Sequence, residues 1–138
     1  MPDTPPVSEL RLVVTATDYD QAVQFYRDVL GLREEAAFTS DGGRVTILQA
    51  GRATLEIADP AHAAWIDEVE VGHRAAGHIR VAFEVPDSAE ATRRLQQAGA
   101  ELIAAPTTTP WGSLNSRLSG PADLQLTLFS GEETPATG

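Results

Sequence analysis

Arg11 and Arg80 are the residues that first invite a chemical reading. Each stands seven positions before an aspartate that opens a helix, Asp18 and Asp87, so the two arginines are duplicates of one position. A guanidinium keeps its proton and offers a planar fork of donors, which suits carboxylate, phenolate or carbonyl oxygens and stacks on flat rings. Strand phase places Glu56 and Glu84 on the same side as these arginines. The four form either the polar part of a ligand site or a buried ion-pair network that doubles as a cavity floor. Trp111 lies in Thr107-Thr108-Thr109-Pro110-Trp111-Gly112, a loop where core burial is less expected than on a strand. It is read as an aromatic contact for a ligand, with Phe38 and Trp65 as weaker candidates; the competing role is a plug at a dimer interface. Phe25 and Tyr26 are assigned to helix–sheet packing.

Other chemistries are poorly supplied. No cysteine is present, so disulfides and thiolate metal sites are excluded. No Ser–His arrangement is evident, and His62 and His73 are expected at the surface. His78, two residues before Arg80, shares its strand face and with Glu56 and Glu84 makes a minor alternative metal cluster. A formal charge of −10 repels phosphate backbones, so nucleic acid is not an expected partner. All ten basic residues are arginine. No apolar run is long enough for a membrane span, and the first residues lack the features of a signal peptide, so a cytoplasmic location is expected.

The elements that must position these side chains repeat. Leu10 to Ala16 reads as a strand. Asp18 then caps a helix carrying Ala22, Phe25, Tyr26 and Val29 on one face, with Gln21 in capping-box position and Gly31 at its end. Strands follow at Glu34–Thr39, Arg44–Ala50 and Ala53–Ile57. The second half opens with a strand over His78–Val85 and a helix capped at Asp87 or Ser88 that ends at Gly99. Its remaining strands are Ala100–Ala105, Leu114–Leu118 and Leu124–Phe129. Asp18 and Asp87 lie 69 positions apart (87 − 18) and Gly31 and Gly99 lie 68 apart (99 − 31), as an internal duplication requires. The expected organisation is a flexible start over 1–8, a first βαβββ module over 9–58, and a linker over 59–77. A second module over 78–130 and a flexible tail over 131–138 complete it. The linker holds a short helix, Asp59 to Trp65, with Pro60 at its first position.

Two consecutive βαβββ units, with Phe25-Tyr26-Arg27-Asp28-Val29-Leu30-Gly31-Leu32 closing the first helix and Arg80-Val81-Ala82-Phe83-Glu84-Val85 in the second half, resemble the vicinal oxygen chelate superfamily. That group includes glyoxalase I, extradiol dioxygenases and bleomycin-resistance binding proteins. The resemblance implies an α+β fold in which curled mixed sheets surround a crevice. It also implies metal-ligand positions on the first and last strand of each module, which fall here on Arg11, Glu56, Arg80 and Thr127. Arginine offers no lone pair and threonine is a poor ligand, so only Glu56 suits a divalent cation, and neither metal nor other cofactor is expected. The implied function is that of the bleomycin-resistance type. Such a protein sequesters a small, partly aromatic natural product without chemistry, as a homodimer. The competing reading is a glyoxalase- or dioxygenase-like enzyme, metal-free or with a non-standard metal site. Glu56 or Glu84 would then act as base and an arginine as oxyanion stabiliser, although the neighbouring guanidinium weakens such a base.

Overall fold

The computed structural model describes residues 11–40, 42–53, 56 and 58–131. Its elements in chain order are α1 (Tyr19–Val23), continued by a π-helical turn (Gln24–Val29), β1 (Arg33–Ser40), β2 (Gly43–Gln49) and α2 (Pro60–Glu70). Then come β3 (Val81–Glu84), α3 (Ser88–Gln97), β4 (Glu101–Thr108), β5 (Leu114–Gly120) and β6 (Leu124–Ser130).

The second module has the expected order. Its four strands form one sheet arranged β3-β6-β5-β4, with β3 parallel to β6 and the other pairs antiparallel. The crossover helix α3 begins where the Asp87 carboxylate accepts the Glu90 amide N–H at 3.1 Å. It ends before Gly99, whose φ of +107° is a left-handed conformation that favours glycine. Alternation along the strands sorts the side chains by face. Leu118, Leu126 and Leu128 are fully buried against Ala91 and Leu95 of α3, each leucine contributing roughly 1.5–3 kcal/mol. Asn115, Arg117, Gln125 and Thr127 point the other way, towards α2. Pro106 sits in the edge strand β4 at a break in register, where a missing N–H is tolerated.

The first module matches in part. Asp18 caps α1 by accepting the Gln21 N–H at 3.1 Å, and Gly31 takes a φ of +102°. Phe25 and Tyr26 are both buried, packed edge to face at 4.9 Å, and join the same core as α3. The Tyr26 hydroxyl donates to the carbonyl of Pro121, tying this helix to the β5–β6 turn. β1 and β2 form a separate antiparallel pair, with Phe38 opposite Val45. The expected first strand is not formed over residues 11–16, where Leu12, Val13 and Val14 are exposed. The fourth strand of this module is expected over 53–57. Of that fourth strand, Ala53 and Glu56 are in neither helix nor strand, while Thr54, Leu55 and Ile57 lie outside the described residues. Most of both termini expected to be flexible also lies outside them.

The linker helix is longer than its sequence suggested. Asp59 accepts the His62 N–H at 2.8 Å, Pro60 occupies the first turn, and the helix runs to Glu70. Among the described residues, no helix is long and apolar enough to cross a membrane.

Candidate ligand site

Among the described residues a dense set of polar side chains surrounds Arg117, which has no exposed surface. Position 117 lies mid-strand on β5, so its side chain points away from α3 and meets α2. There, Asp67 and Glu70 are spaced i, i+3 and share the helix face that also buries Ile66. Arg117 donates from one terminal nitrogen to Asp67 Oδ1 at 2.8 Å and to Gln125 Oε1 at 2.7 Å. Its other terminal nitrogen reaches Glu70 Oε1 at 2.8 Å, and Nε is shared between Glu70 Oε1 at 3.1 Å and Thr127 Oγ1 at 3.2 Å.

Each carboxylate is fully partnered. Glu70 also accepts from Thr127 Oγ1 at 2.9 Å and from Asn115 Nδ2 at 2.7 Å. Asp67 accepts from Arg74 and from the backbone N–H groups of Ala75 and Ala76. Burial pushes the Asp67 carboxyl up, but the Ala75 N–H, Arg117 and the Ala76 N–H outweigh it and hold it below the usual carboxylate range. Arg80 approaches from the β3 end and donates to Thr127 Oγ1 at 2.9 Å. Burial is the main influence lowering its pKa, offset by the negative charge of Glu70.

Beside this network sits an aromatic pair. Trp111 is held by a tight loop in which Thr109 N–H donates to the Ser113 carbonyl at 2.8 Å and Gly112 N–H to the Thr109 carbonyl at 3.0 Å. Contrary to its reading as an open loop residue, Trp111 is only 7% exposed, because the indole of Trp65 on α2 packs against it at 5.4 Å. Its indole Nε1 is buried with no hydrogen-bond partner. Trp65 is 43% exposed and has the His62 ring 5.7 Å away.

The residues singled out from sequence therefore separate. Arg80, Thr127, Trp65 and Trp111 line the ground between α2 and the second sheet. Glu56 is exposed, yet close enough to act electrostatically on Arg80. Glu84 is exposed at the end of β3, and Phe38 is 60% exposed on the separate β1–β2 pair. Arg11 lies outside any strand with its side chain half exposed, 3.9 Å from Glu35. Arg11 thus lies by Glu35, while Arg80 bonds Thr127 and feels the charge of Glu56. His78 precedes β3 and is exposed.

Arg117, Asp67, Glu70 and Asn115 were not picked out from sequence. The available signal was an arginine inside the short strand Leu114-Asn115-Ser116-Arg117-Leu118, a position that has to be paired if buried. A second signal was the Asp67, Glu70 spacing in a segment read as linker.

Residues 10–131 match the family model described as the Glyoxalase/Bleomycin resistance protein/Dioxygenase superfamily. The chain belongs to this superfamily. Solved structures of the glyoxalase/bleomycin-resistance fold resemble it over nearly their full length. TnmS3, an antibiotic binding protein from Streptomyces sp. CB03234, is 21% identical with a TM-score of 0.61, over 94% of this chain and 100% of that one. A superfamily member from Sphaerobacter thermophilus DSM 20745 is 20% identical with a TM-score of 0.57, over 86% and 92%. A glyoxalase-related enzyme from Fulvimarina pelagi is 15% identical with a TM-score of 0.55, over 91% and 89%. At these identities the likeness is one of fold. No curated protein matches the chain significantly in sequence.

Metal-dependent members of the superfamily imply a divalent cation, and of the four positions the resemblance assigns to its ligands three do not fit one, leaving Glu56 alone. Arg80 cannot ligate, and the Thr127 hydroxyl is taken up by Arg80, Arg117 and Glu70. Arg11 stands by Glu35. Among the described residues, no group of three His, Asp or Glu side chains is gathered as a metal would need.

Proposed function

We propose that this superfamily member is a non-catalytic binding protein that sequesters a small, partly aromatic natural product, in the manner of antibiotic self-resistance proteins. What supports this reading most is that, of the four positions the resemblance assigns to a cation's donors, Arg11, Arg80 and Thr127 are unsuited and only Glu56 could ligate. Arg80 and Arg117 meet at Thr127, where guanidinium donors balanced by Asp67 and Glu70 suit ligand oxygens and offer a metal ion no lone pair. The Trp65–Trp111 pair beside them offers a flat apolar contact. The antibiotic-binding role of TnmS3 supports the same reading by analogy of fold.

The protein is proposed to work in the cytoplasm as a homodimer. Val13, Ile79 and Phe38 are 85%, 63% and 60% exposed in the single chain, apolar side chains that a second copy could cover.

The test is a titration of purified protein with a panel of polycyclic aromatic natural products, following tryptophan fluorescence and thermal stability. A ligand at about a hundred times its Kd stabilises the native state by roughly 2.7 kcal/mol, readily seen as a rise in Tm. Quenching that disappears in Trp111→Leu supports the proposal. Absence of quenching and of any Tm rise across the panel, or consumption of a compound by the protein, overturns it.

A further inference from the structure

We infer that α2 is an intramolecular stand-in for the ligand, and that the site beneath it selects an aromatic compound bearing a carboxylate. This rests on the binding reading above and adds to it the charge of the ligand and the movement that admits it.

The helix presents to the second sheet what an aromatic acid would present. Trp65 lays its ring against Trp111, and five residues on, the Glu70 carboxylate fills a complete set of donors. Those donors are Arg117 Nε and a terminal nitrogen at 3.1 and 2.8 Å, Thr127 Oγ1 at 2.9 Å and Asn115 Nδ2 at 2.7 Å. Four donors from three side chains on β5 and β6 belong to the sheet and stay behind when the helix leaves. A carboxylate arriving from solution meets the same fork. A neutral ligand does not, because lifting α2 away strips Arg117 of both its carboxylate partners and leaves a buried cation uncompensated.

Trp111 Nε1 is a second, independent indication. The residue is more than nine-tenths buried and this donor has no partner while α2 is in place. Natural structures rarely leave a buried donor unmet. An acceptor atom on a bound aromatic would satisfy it; the Trp65 ring carbons cannot.

The way α2 is held permits exchange. Ile66 is its one buried apolar side chain, the other buried positions being Asp67 and Glu70. Attachment through buried ion pairs is close to balanced by desolvation, so a ligand that supplies an equivalent carboxylate replaces it at little net cost. The segments on either side, 50–59 and 71–80, carry no helix or strand among the described residues, and Gly72 just after the helix has a φ of +96°. The helix is therefore tethered to its sheet by side chains, and the described residues next to it on either side are irregular.

The experiment compares 2-naphthoate with its neutral isostere 2-naphthamide on the full chain, reading tryptophan fluorescence and amide hydrogen exchange of residues 60–70. The expected result is binding of the acid at least tenfold tighter than the amide, with exchange in α2 accelerated at saturation. Glu70→Gln, which keeps the side-chain shape and removes the competing charge, should raise naphthoate affinity at least tenfold. Because the exchange measurement uses the unaltered protein, the inference stays testable if that variant fails to fold. Equal binding of acid and amide, or an α2 that keeps its protection with acid bound, overturns the inference while leaving aromatic binding intact. Binding of neither probe, together with a silent natural-product panel, removes both readings.

Discussion

Replacing Arg117 with methionine removes a charge while nearly preserving volume, and so isolates what the buried guanidinium does. In the native protein it donates to Asp67, Glu70, Gln125 and Thr127 with no exposed surface of its own. Asp67 and Glu70 are 1% and 3% exposed, so neither is rescued by water when the cation goes. Breaking a buried pair by removing one partner costs about 3–5 kcal/mol. Asp67 keeps Arg74 and two backbone N–H groups and Glu70 keeps Asn115 and Thr127, which argues for the lower half of that range. At roughly 4 °C per kcal/mol for a chain of this size, Tm should fall by about 12–16 °C. The deficit also has a pH signature. Asp67 is held below its ordinary value in the fold, so its contribution is present above the unfolded pKa, near 3.9, and is lost as pH falls through the lower folded value. Arg117 is one source of that depression, so the gap between native protein and variant should be full at pH 7 and narrower below about pH 4. Urea denaturation at pH 7 and pH 3.5 measures both quantities. Combining Arg117→Met with Asp67→Asn and Glu70→Leu should recover most of the loss, since an apolar replacement of a buried ionic group is often neutral or stabilising. A single-variant loss under 1 kcal/mol at pH 7, or a triple variant worse than the single, would refute this account of how α2 is attached.

Three further outcomes test the frame around the site. Gly120→Ala places a Cβ 2.7 Å from the Tyr26 hydroxyl and 3.2 Å from Leu126, so it should cost roughly 1–3 kcal/mol in chemical denaturation. Pairing it with Tyr26→Phe, which removes the closest clash, should give a combined loss smaller than the sum of the two. Asp87→Ala deletes the cap of α3 and should lower stability by about 1 kcal/mol, seen as a shift in the urea midpoint without a change of slope. Ala122 adopts φ +66° in the β5–β6 turn, so Ala122→Gly should be stabilising by up to about 1 kcal/mol, a gain of a few degrees in Tm.

Much of this architecture is local and therefore written in the sequence. Asp18 and Asp87 cap helices because a short carboxylate reaches the amide three residues on, and Gly31 and Gly99 end them because only glycine takes those φ values without strain. Period-two alternation along β6 puts Leu126 and Leu128 on one face and Gln125 and Thr127 on the other. The site itself is not local. Arg117 and its carboxylates are 47 and 50 residues apart, brought together only when α2 docks on the face opposite α3. The same docking buries Trp111 under Trp65, which no feature of the Thr107–Gly112 loop announces. Sequence by itself determined the helix caps and the apolar face of the second sheet, since those follow from propensity and periodicity, but not the state of residues 11–16 or the length of α2. Only the tertiary structure decided which polar face meets which, because charge pairing across a sheet depends on where a linker comes to rest.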